Sequence, residues 1–196
     1  MKSVTTRLLY VIIGSLTMGL GVAIAVKGGQ GADPLAVFWE GLSNILPITI
    51  GQANILLSVV MLILALFMDK TQINIGTILN PIVLGVSTDL FIKLFNTPHS
   101  FCVQLIQSTI GVSIIGIGIG IYTSVNLGKG SYDAIVFSIV KKYNLNLALV
   151  RSVGDGIFLL SGFLLGARVG FSTIISVLFL GKIIVLVNKR VSYLQE

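Results

Sequence analysis

Long stretches of this chain carry no charge, and short charged intervals separate them. Residues 8–26 hold no Asp, Glu, Lys or Arg. Built as a helix, such a run spans ~28 Å at ~1.5 Å per residue, close to the thickness of a bilayer's hydrocarbon core. Residues 48–68 form a second uncharged run. Residues 73–92 form a third, with Pro81 in its middle and Asp89 near its end. Residues 101–125 form a glycine-rich fourth. Residues 147–167 form a fifth that contains Arg151 and Asp155, and residues 169–187 a sixth that contains Lys182. Two shorter segments, 34–46 and 134–143, each follow a glycine cluster. They are too short to cross comfortably, so they read as re-entrant or interfacial helices. The pattern predicts an all-α membrane protein with six transmembrane helices and two short ones. If the short helices cross, there are eight spans.

The pattern repeats. Gly19 and Gly21 recur as Gly118 and Gly120, Gly31 as Gly130, and Val37-Phe38 as Val136-Phe137. Farther along the offset shrinks by about three, where Thr77-Ile78 matches Thr173-Ile174 and Leu84-Gly85 matches Leu180-Gly181. Single identities mean little in such apolar sequence. The shared order of long helix, glycine break, short helix and two long helices means more. The chain therefore reads as one transmembrane domain, residues 1–196, built as an internal two-fold repeat with halves at about 8–95 and 101–190. With six spans each half contributes three, so the second half is inverted relative to the first. Inverted repeats with broken helices are a recurring plan of secondary transporters.

Composition agrees with the pattern and narrows the function. Hydrophobic residues make up 55% of the 196 and charged residues 10%, which leaves too few charges to coat a water-facing surface. The net charge of +6 is scattered along the ends of the apolar runs. Nucleic-acid binding needs a clustered basic face with stacking aromatics, and none is visible. In the six-span arrangement with the N-terminus inside, Lys2, Arg7, Lys70, Lys129, Lys141, Lys142, Lys189 and Arg190 face one side. Only Lys27, Lys93 and Arg168 face the other. The positive-inside rule then places both termini in the cytoplasm. The eight-span arrangement gives a weaker bias of the same kind. Cys102 is the only cysteine and His99 the only histidine, so no disulfide and no Cys/His metal site is expected. The first apolar run leads into further apolar runs and reads as a span, not a cleaved signal peptide.

Three features carry candidate chemistry. The first is the pair of glycine breaks, Gly28 to Pro34 and Gly128 to Asp133. Gly31, Asp33, Gly128, Gly130 and Asp133 are candidate binding residues, because unwound backbone and helix N-termini facing a cavity bind polar or anionic groups. The alternative is two ordinary loops with Asp33, Ser131 or Asp133 as N-caps. The second feature is Arg151 and Asp155, four residues apart on one face of the fifth span. An ionisable pair within a span is costly unless paired or hydrated. It reads either as a gate or coupling-ion site with Asp155 titrating, or as a static pin between helices. The third is a set of amides, Gln52, Asn54, Asn80 and Asn126, able to line a cavity or to bond helix to helix. Asn54 is the one carried forward as a candidate binding residue. Lys182 reads as a snorkelling side chain and Asp89 as interfacial. Trp39, Tyr132, Tyr143 and Tyr193 read as interface anchors, and Ser15-x-x-x-Gly19 and Gly116-x-x-x-Gly120 as close-packing seams.

Taken in order, these motifs resemble a known family. Gly128-x-Gly130-x-x-Asp133 is followed by Leu149-Val150-Arg151, Asp155, Leu164-Leu165-Gly166, Gly170, Thr173 and Gly181. In the first half Gly31 to Pro34 precedes a short helix, and Gly51-x-x-Asn54 opens the next span. This order is similar to that of the YczE/YyaS/YitT family of bacterial integral membrane proteins, over nearly the whole chain. The first half departs from the family pattern. Leu35 and Ala36 follow the proline, where the family carries an aromatic and an acid. The resemblance implies a multi-pass protein of a bacterial cytoplasmic membrane, and brings no substrate with it.

Two functions are therefore expected to compete. One is transport or export of a small molecule or ion, driven by a gradient or a partner because no ATP-binding loop is present. The other is an accessory or scaffold role in a membrane-linked pathway. No Ser-His, His-Glu-x-x-His or paired-aspartate arrangement points to an enzyme, and no cofactor or metal is expected. The expected partners are the bilayer, an unidentified small solute or ion, and either further copies of the chain or a membrane protein.

Overall fold

A computed structural model describes residues 4–193, and every described regular element is helical. The helices are α1 (Val4–Gly28), α2 (Pro34–Ile45), α3 (Ile50–Met68), α4 (Ile75–Phe91), α5 (Phe101–Thr123), α6 (Ser131–Tyr143), α7 (Leu147–Leu164) and α8 (Phe171–Tyr193). A single 3-10 turn, Lys70–Gln72, joins α3 to α4. Five helices, α1, α3, α5, α7 and α8, are long and apolar enough to cross a membrane. The apolar α4 is shorter, at 17 residues. Lys2 of the charge pattern lies outside the described residues.

Helix ends follow their local chemistry. Thr49 and Gln52 form a capping box at the start of α3, and Asn74 and Thr77 form another at the start of α4. The Asn146 side chain accepts from two backbone amides at the start of α7. Asn144 ends α6 in the left-handed conformation. The helix expected over 134–143 begins three residues earlier, at Ser131. Gly130, not Ser131 or Asp133, occupies its N-cap position. The short helix of the first half ends at Ile45, one residue early, because Leu46 is already extended.

The centre is built on backbone-to-backbone approach. α1 and α5 pack most extensively and run antiparallel, with Gly14 against Gly118 and Tyr122, and Gly28 against Ser108. A Cβ on Gly21 would lie 2.6 Å from the Ile115 amide nitrogen, so only glycine permits this distance. Gly19 of the Ser15-x-x-x-Gly19 seam packs on Leu84 and Ser87 of α4, and Ser15 accepts a 2.9 Å hydrogen bond from Asn80 Nδ2. The Gly116 and Gly120 seam faces Leu180, Ile183 and Val187 of α8. Arg7 closes the far end of α5 by donating to the Val125 and Asn126 carbonyls. Both carbonyls lie just past that end, where the helix dipole is negative.

The two short helices lie crosswise to the order of the chain. α2 packs on α7, and α6 packs on α3. Each begins deep among the long helices and ends at the margin. α2 starts beside Met18, Val22 and Ile115, and ends where Asn44 Nδ2 donates to the Gly166 carbonyl at 2.9 Å. α6 starts with Ser131 Oγ donating to Ser58 Oγ at 3.0 Å, and ends with Lys141 paired to Asp69 at 2.8 Å. α3 packs along α4, whereas α7 and α8 do not pack along each other.

Candidate functional site

The glycine breaks bring the two short helices' N-terminal ends inward. Gly31 has φ +83° and Gly128 φ +114°, values side-chain-bearing residues rarely adopt. Space is limiting as well as conformation. Gly31 abuts Thr173 Oγ1 and the Gly170 nitrogen, and Gly128 abuts Thr77 Oγ1 and Asn74. Each break is thus clamped against the first turn of a long helix, Gly31 by α8 and Gly128 by α4. Gly130, in contrast, has room around it.

Arg151 is the hub of the cluster that results. Its Nη1 donates to Asp133 Oδ1 at 2.7 Å, and its Nε lies 3.9 Å from Asp155 Oδ2, one turn along α7. The Tyr132 hydroxyl lies 2.8 Å from Asp155 Oδ1 and 3.1 Å from the Arg151 carbonyl, so its single proton has two acceptors in reach. Gly154 makes room for that ring, since a Cβ there would lie 2.5 Å from the Tyr132 hydroxyl. Asp133 and Asp155 therefore meet through Arg151, one arriving on α6 and the other on α7. An unpaired guanidinium costs ~2.5–3.5 kcal/mol at the centre of a span on insertion scales, and less nearer an end, where Arg151 stands fifth in α7. The pairing removes most of that cost.

The remaining candidates divide. Asn54 belongs to a neutral arm beside the cluster. Its Nδ2 donates to the Pro81 carbonyl at 2.9 Å, and its Oδ1 lies 3.4 Å from Ser58 Oγ, the partner of Ser131. The carbonyl is Pro81's own, set within the third apolar run. Asp33 sits on the opposite side, at the N-cap position of α2. It is 7% exposed, makes no side-chain capping bond, and its Oδ1 has no hydrogen-bond partner. Gln52 serves the α3 capping box, Asn80 bonds Ser15, and Asn126 lines an open vestibule with Lys129 and Lys189. Among the described residues no group of three or more His, Cys, Asp or Glu is placed to hold a metal ion.

Two aromatic expectations fail. Trp39 and Tyr132 are not interface anchors; they are 6% and 8% exposed and face the interior. The glycine breaks turn the N-terminal halves of α2 and α6 inward, carrying Tyr132 in the first turn of α6 and Trp39 in the second turn of α2. Tyr143 is exposed, and the side chain of Tyr193 lies outside the described residues. Asp89 is more than interfacial: it accepts from Thr49 Oγ1 and from the Gly51 amide at 2.9 Å, tying the end of α4 to the start of α3. Thr49 and Asp89 stand forty residues apart in the chain.

Cavities surround Arg151. On the α6 side, a vestibule of ≈ 820 Å³ runs between α5, α6, α7 and α8. A cleft of ≈ 490 Å³ separates α7 from α8, with Arg151, Ser152, Asp155 and Gly181 in its walls. Two small cavities of ≈ 70 and ≈ 60 Å³ lie on the inner side of the hub, and Arg151 lines both.

Helices of spanning length around a half-buried charged cluster are the architecture of a multi-pass membrane protein. The chain belongs to the family of unknown function DUF6198, whose pattern it matches over residues 5–189. It is 26% identical over 184 residues to the uncharacterized membrane protein YczE of Bacillus subtilis (strain 168), covering 93% of this chain and 86% of that protein. An uncharacterized protein of Haemophilus influenzae (strain ATCC 51907 / DSM 11121 / KW20 / Rd) is 28% identical over 167 residues, 85% of this chain and 76% of its own. The uncharacterized protein YyaS of Bacillus subtilis (strain 168) is 26% identical over 175 residues, 87% of each. No solved structure matches. The YczE and YyaS matches agree with the resemblance read from the motifs.

Proposed function

We propose that this protein is a secondary transporter of a small solute in a bacterial cytoplasmic membrane, with its binding site at Arg151 where the two short helices begin. The observation that carries this reading is the asymmetric access to the hub. The ≈ 820 Å³ vestibule and the α7–α8 cleft reach Arg151 from one end. At the other end α3 is bound to α4 by Asp89 and by contact between Gly51 and Gly85. A site open to one side and sealed to the other is what alternating access requires.

The reading takes α1 to α4 and α5 to α8 as inverted repeats with six spans, α2 and α6 being re-entrant and both termini cytoplasmic. What supports it is direction. α1 and α5, the first helix of each half, run antiparallel, and α2 and α6 begin deep and end at opposite margins. Asn54 and Ser58 stand fifth and ninth in α3, as Arg151 and Asp155 do in α7. The accessory reading draws on one observation, that Arg151, Asp133, Asp155 and Tyr132 satisfy one another without a ligand.

The test is a comparison of small metabolites inside and outside cells with and without the protein. Transport predicts a solute whose distribution changes with the intact protein but not with Arg151→Gln. Unchanged distributions of every solute, with a growth or pathway defect rescued equally by Arg151→Gln, would replace transport by the accessory role.

A further inference from the structure

Arg151 is committed to two acids, which leaves the third acid of the centre, Asp33, without a cation. We propose that Asp33 and the cavity at the α2 N-terminus form a binding site for a monovalent cation, a proton or an alkali-metal ion, adjoining the solute site through Arg151, which lines the same cavity. Its role as the coupling ion rests on the transport reading; its existence does not.

The first argument is charge. Asp33 is buried on every side, and among the described residues no lysine or arginine lies within ion-pair distance of it. A buried carboxylate keeps its charge only with a partner; otherwise it takes up a proton or a cation. The N-terminus of α2 offsets part of that cost by its dipole, but the side chain makes no capping bond there. The second argument is the cavity. It holds ≈ 60 Å³, about two waters' worth of space at ~30 Å³ each, so it admits an ion and excludes an organic solute. Trp39 lines the same cavity, and its Nε1 is also buried without a partner. Of the two, Asp33 Oδ1 is the acceptor a proton or cation would meet, whereas the indole N–H is a donor and reports on the cavity without ligating the ion.

The surroundings narrow the ligand. From α1, α5 and α8 only Met18, Val22, Ile115, Ile119 and Leu180 reach the cavity, and α4 adds Leu84. The charged groups facing Asp33 are Arg151 and Asp155, both on α7. Glu40 is about two turns along α2 from Asp33 and turns to the Arg168 amide at 3.4 Å. With Arg151 balanced by Asp133, the wall that remains is negative, which disfavours an anion. Occupancy would also remove the bare charge beside Asp155 and so bias the Tyr132 and Arg151 contacts of the solute site.

Trp39 is the only tryptophan in the chain, so the protein carries its own reporter. The experiment follows Trp39 fluorescence of purified protein while NaCl, LiCl or KCl replaces N-methylglucamine chloride at fixed ionic strength, and separately as pH is stepped from 5 to 9 without alkali ions. An alkali ion in the site gives a saturable change with one ion and at least a tenfold weaker response with the others. A proton gives a pH-dependent change with no alkali response. Asp33→Asn removes either change, while Asp69→Asn keeps it. A wild-type signal unaffected by every cation and by pH overturns the proposal without recourse to a variant. An unaltered response in Asp33→Asn does so as well. Solute flux that persists alongside that result leaves transport standing, whereas cation binding without flux leaves this site standing and removes transport.

Discussion

The α3–α4 pair and the α7–α8 pair occupy corresponding places in their halves and are held in opposite ways. Between α3 and α4 the backbones touch at Gly51 and Gly85, the Asn54 amide bonds the Pro81 carbonyl, and Asp89 closes the end. Between α7 and α8 a cleft of ≈ 490 Å³ stands open. Gly181, which corresponds to Gly85, has no atom within contact range of where a Cβ would sit. Side-chain chemistry accompanies the difference. The closed pair has the neutral, short Asn54 and Ser58 where the open pair has Arg151 and Asp155. The difference teaches that one scaffold accommodates both a sealed and a parted helix pair. In the parted pair Gly181 takes the place of Gly85, and Ala148, second in α7, takes the place of Gly51, second in α3.

The largest test of that comparison is steric. Gly85→Val places a branched side chain against the Gly51 carbonyl and Ile55, and is expected to destabilise by about 1–3 kcal/mol, as overpacking does. Gly181→Ala is expected to stay within about 0.5 kcal/mol of wild type, because nothing opposes the methyl. Thermal unfolding in detergent measures both, and equal losses would erase the distinction between the pairs.

Next comes the hub. Arg151→Leu strands Asp133 and Asp155, and the loss is expected at about 1–2 kcal/mol. A fully buried pair would lose more, but the arginine side chain is 39% exposed and partly screened. Arg151→Leu with Asp133→Leu is expected to be more stable than Arg151→Leu alone, which a double-mutant cycle reads directly. Strict additivity would show that the 2.7 Å pair does not couple.

Asp89→Asn weakens two hydrogen bonds at the closed end and is expected to cost about 1 kcal/mol. It is also expected to raise the hydrogen-exchange rate of the first turn of α3 while leaving α7 unchanged. The smallest effect belongs to the surface pair of Lys141 and Asp69. Hydrogen bonding to Lys141 in the first place, then to Thr71 and Gln72, holds the Asp69 carboxyl below its ordinary value of 3.8. A depressed carboxyl stabilises the fold above its unfolded value, and that contribution is lost as pH falls below about 4. Lys141→Ala is therefore expected to flatten the acid limb of the stability profile slightly, and high salt to mimic it.

Much of this was legible in sequence because lipid imposes long uncharged runs, and their lengths bound the helices. Glycine breaks before both short helices were equally plain. The contacts that make a site were less so. Arg151 and Asp155 share a face by spacing alone, but the closer partner, Asp133, comes from another helix. Trp39 and Tyr132 read as anchors because their residue type favours the membrane interface, and the breaks carried them inward instead. Asp33 was visible as a possible cap, and it does occupy the N-cap position with ordinary N-cap backbone angles; that its side chain makes no capping bond is not written in the residue type.

The transport proposal requires the closed and open pairs to exchange. It is tested by spin labels on a Cys102→Ser background at four lipid-exposed positions. Leu56→Cys with Ile82→Cys reports the α3–α4 pair, and Val153→Cys with Leu178→Cys the α7–α8 pair. In liposomes with sodium replaced and restored, and at pH 5.5 and 8, the account predicts reciprocal shifts. The α7–α8 distance shortens in the condition that lengthens the α3–α4 distance. Distances that hold fixed in every condition, or that lengthen together, would contradict it.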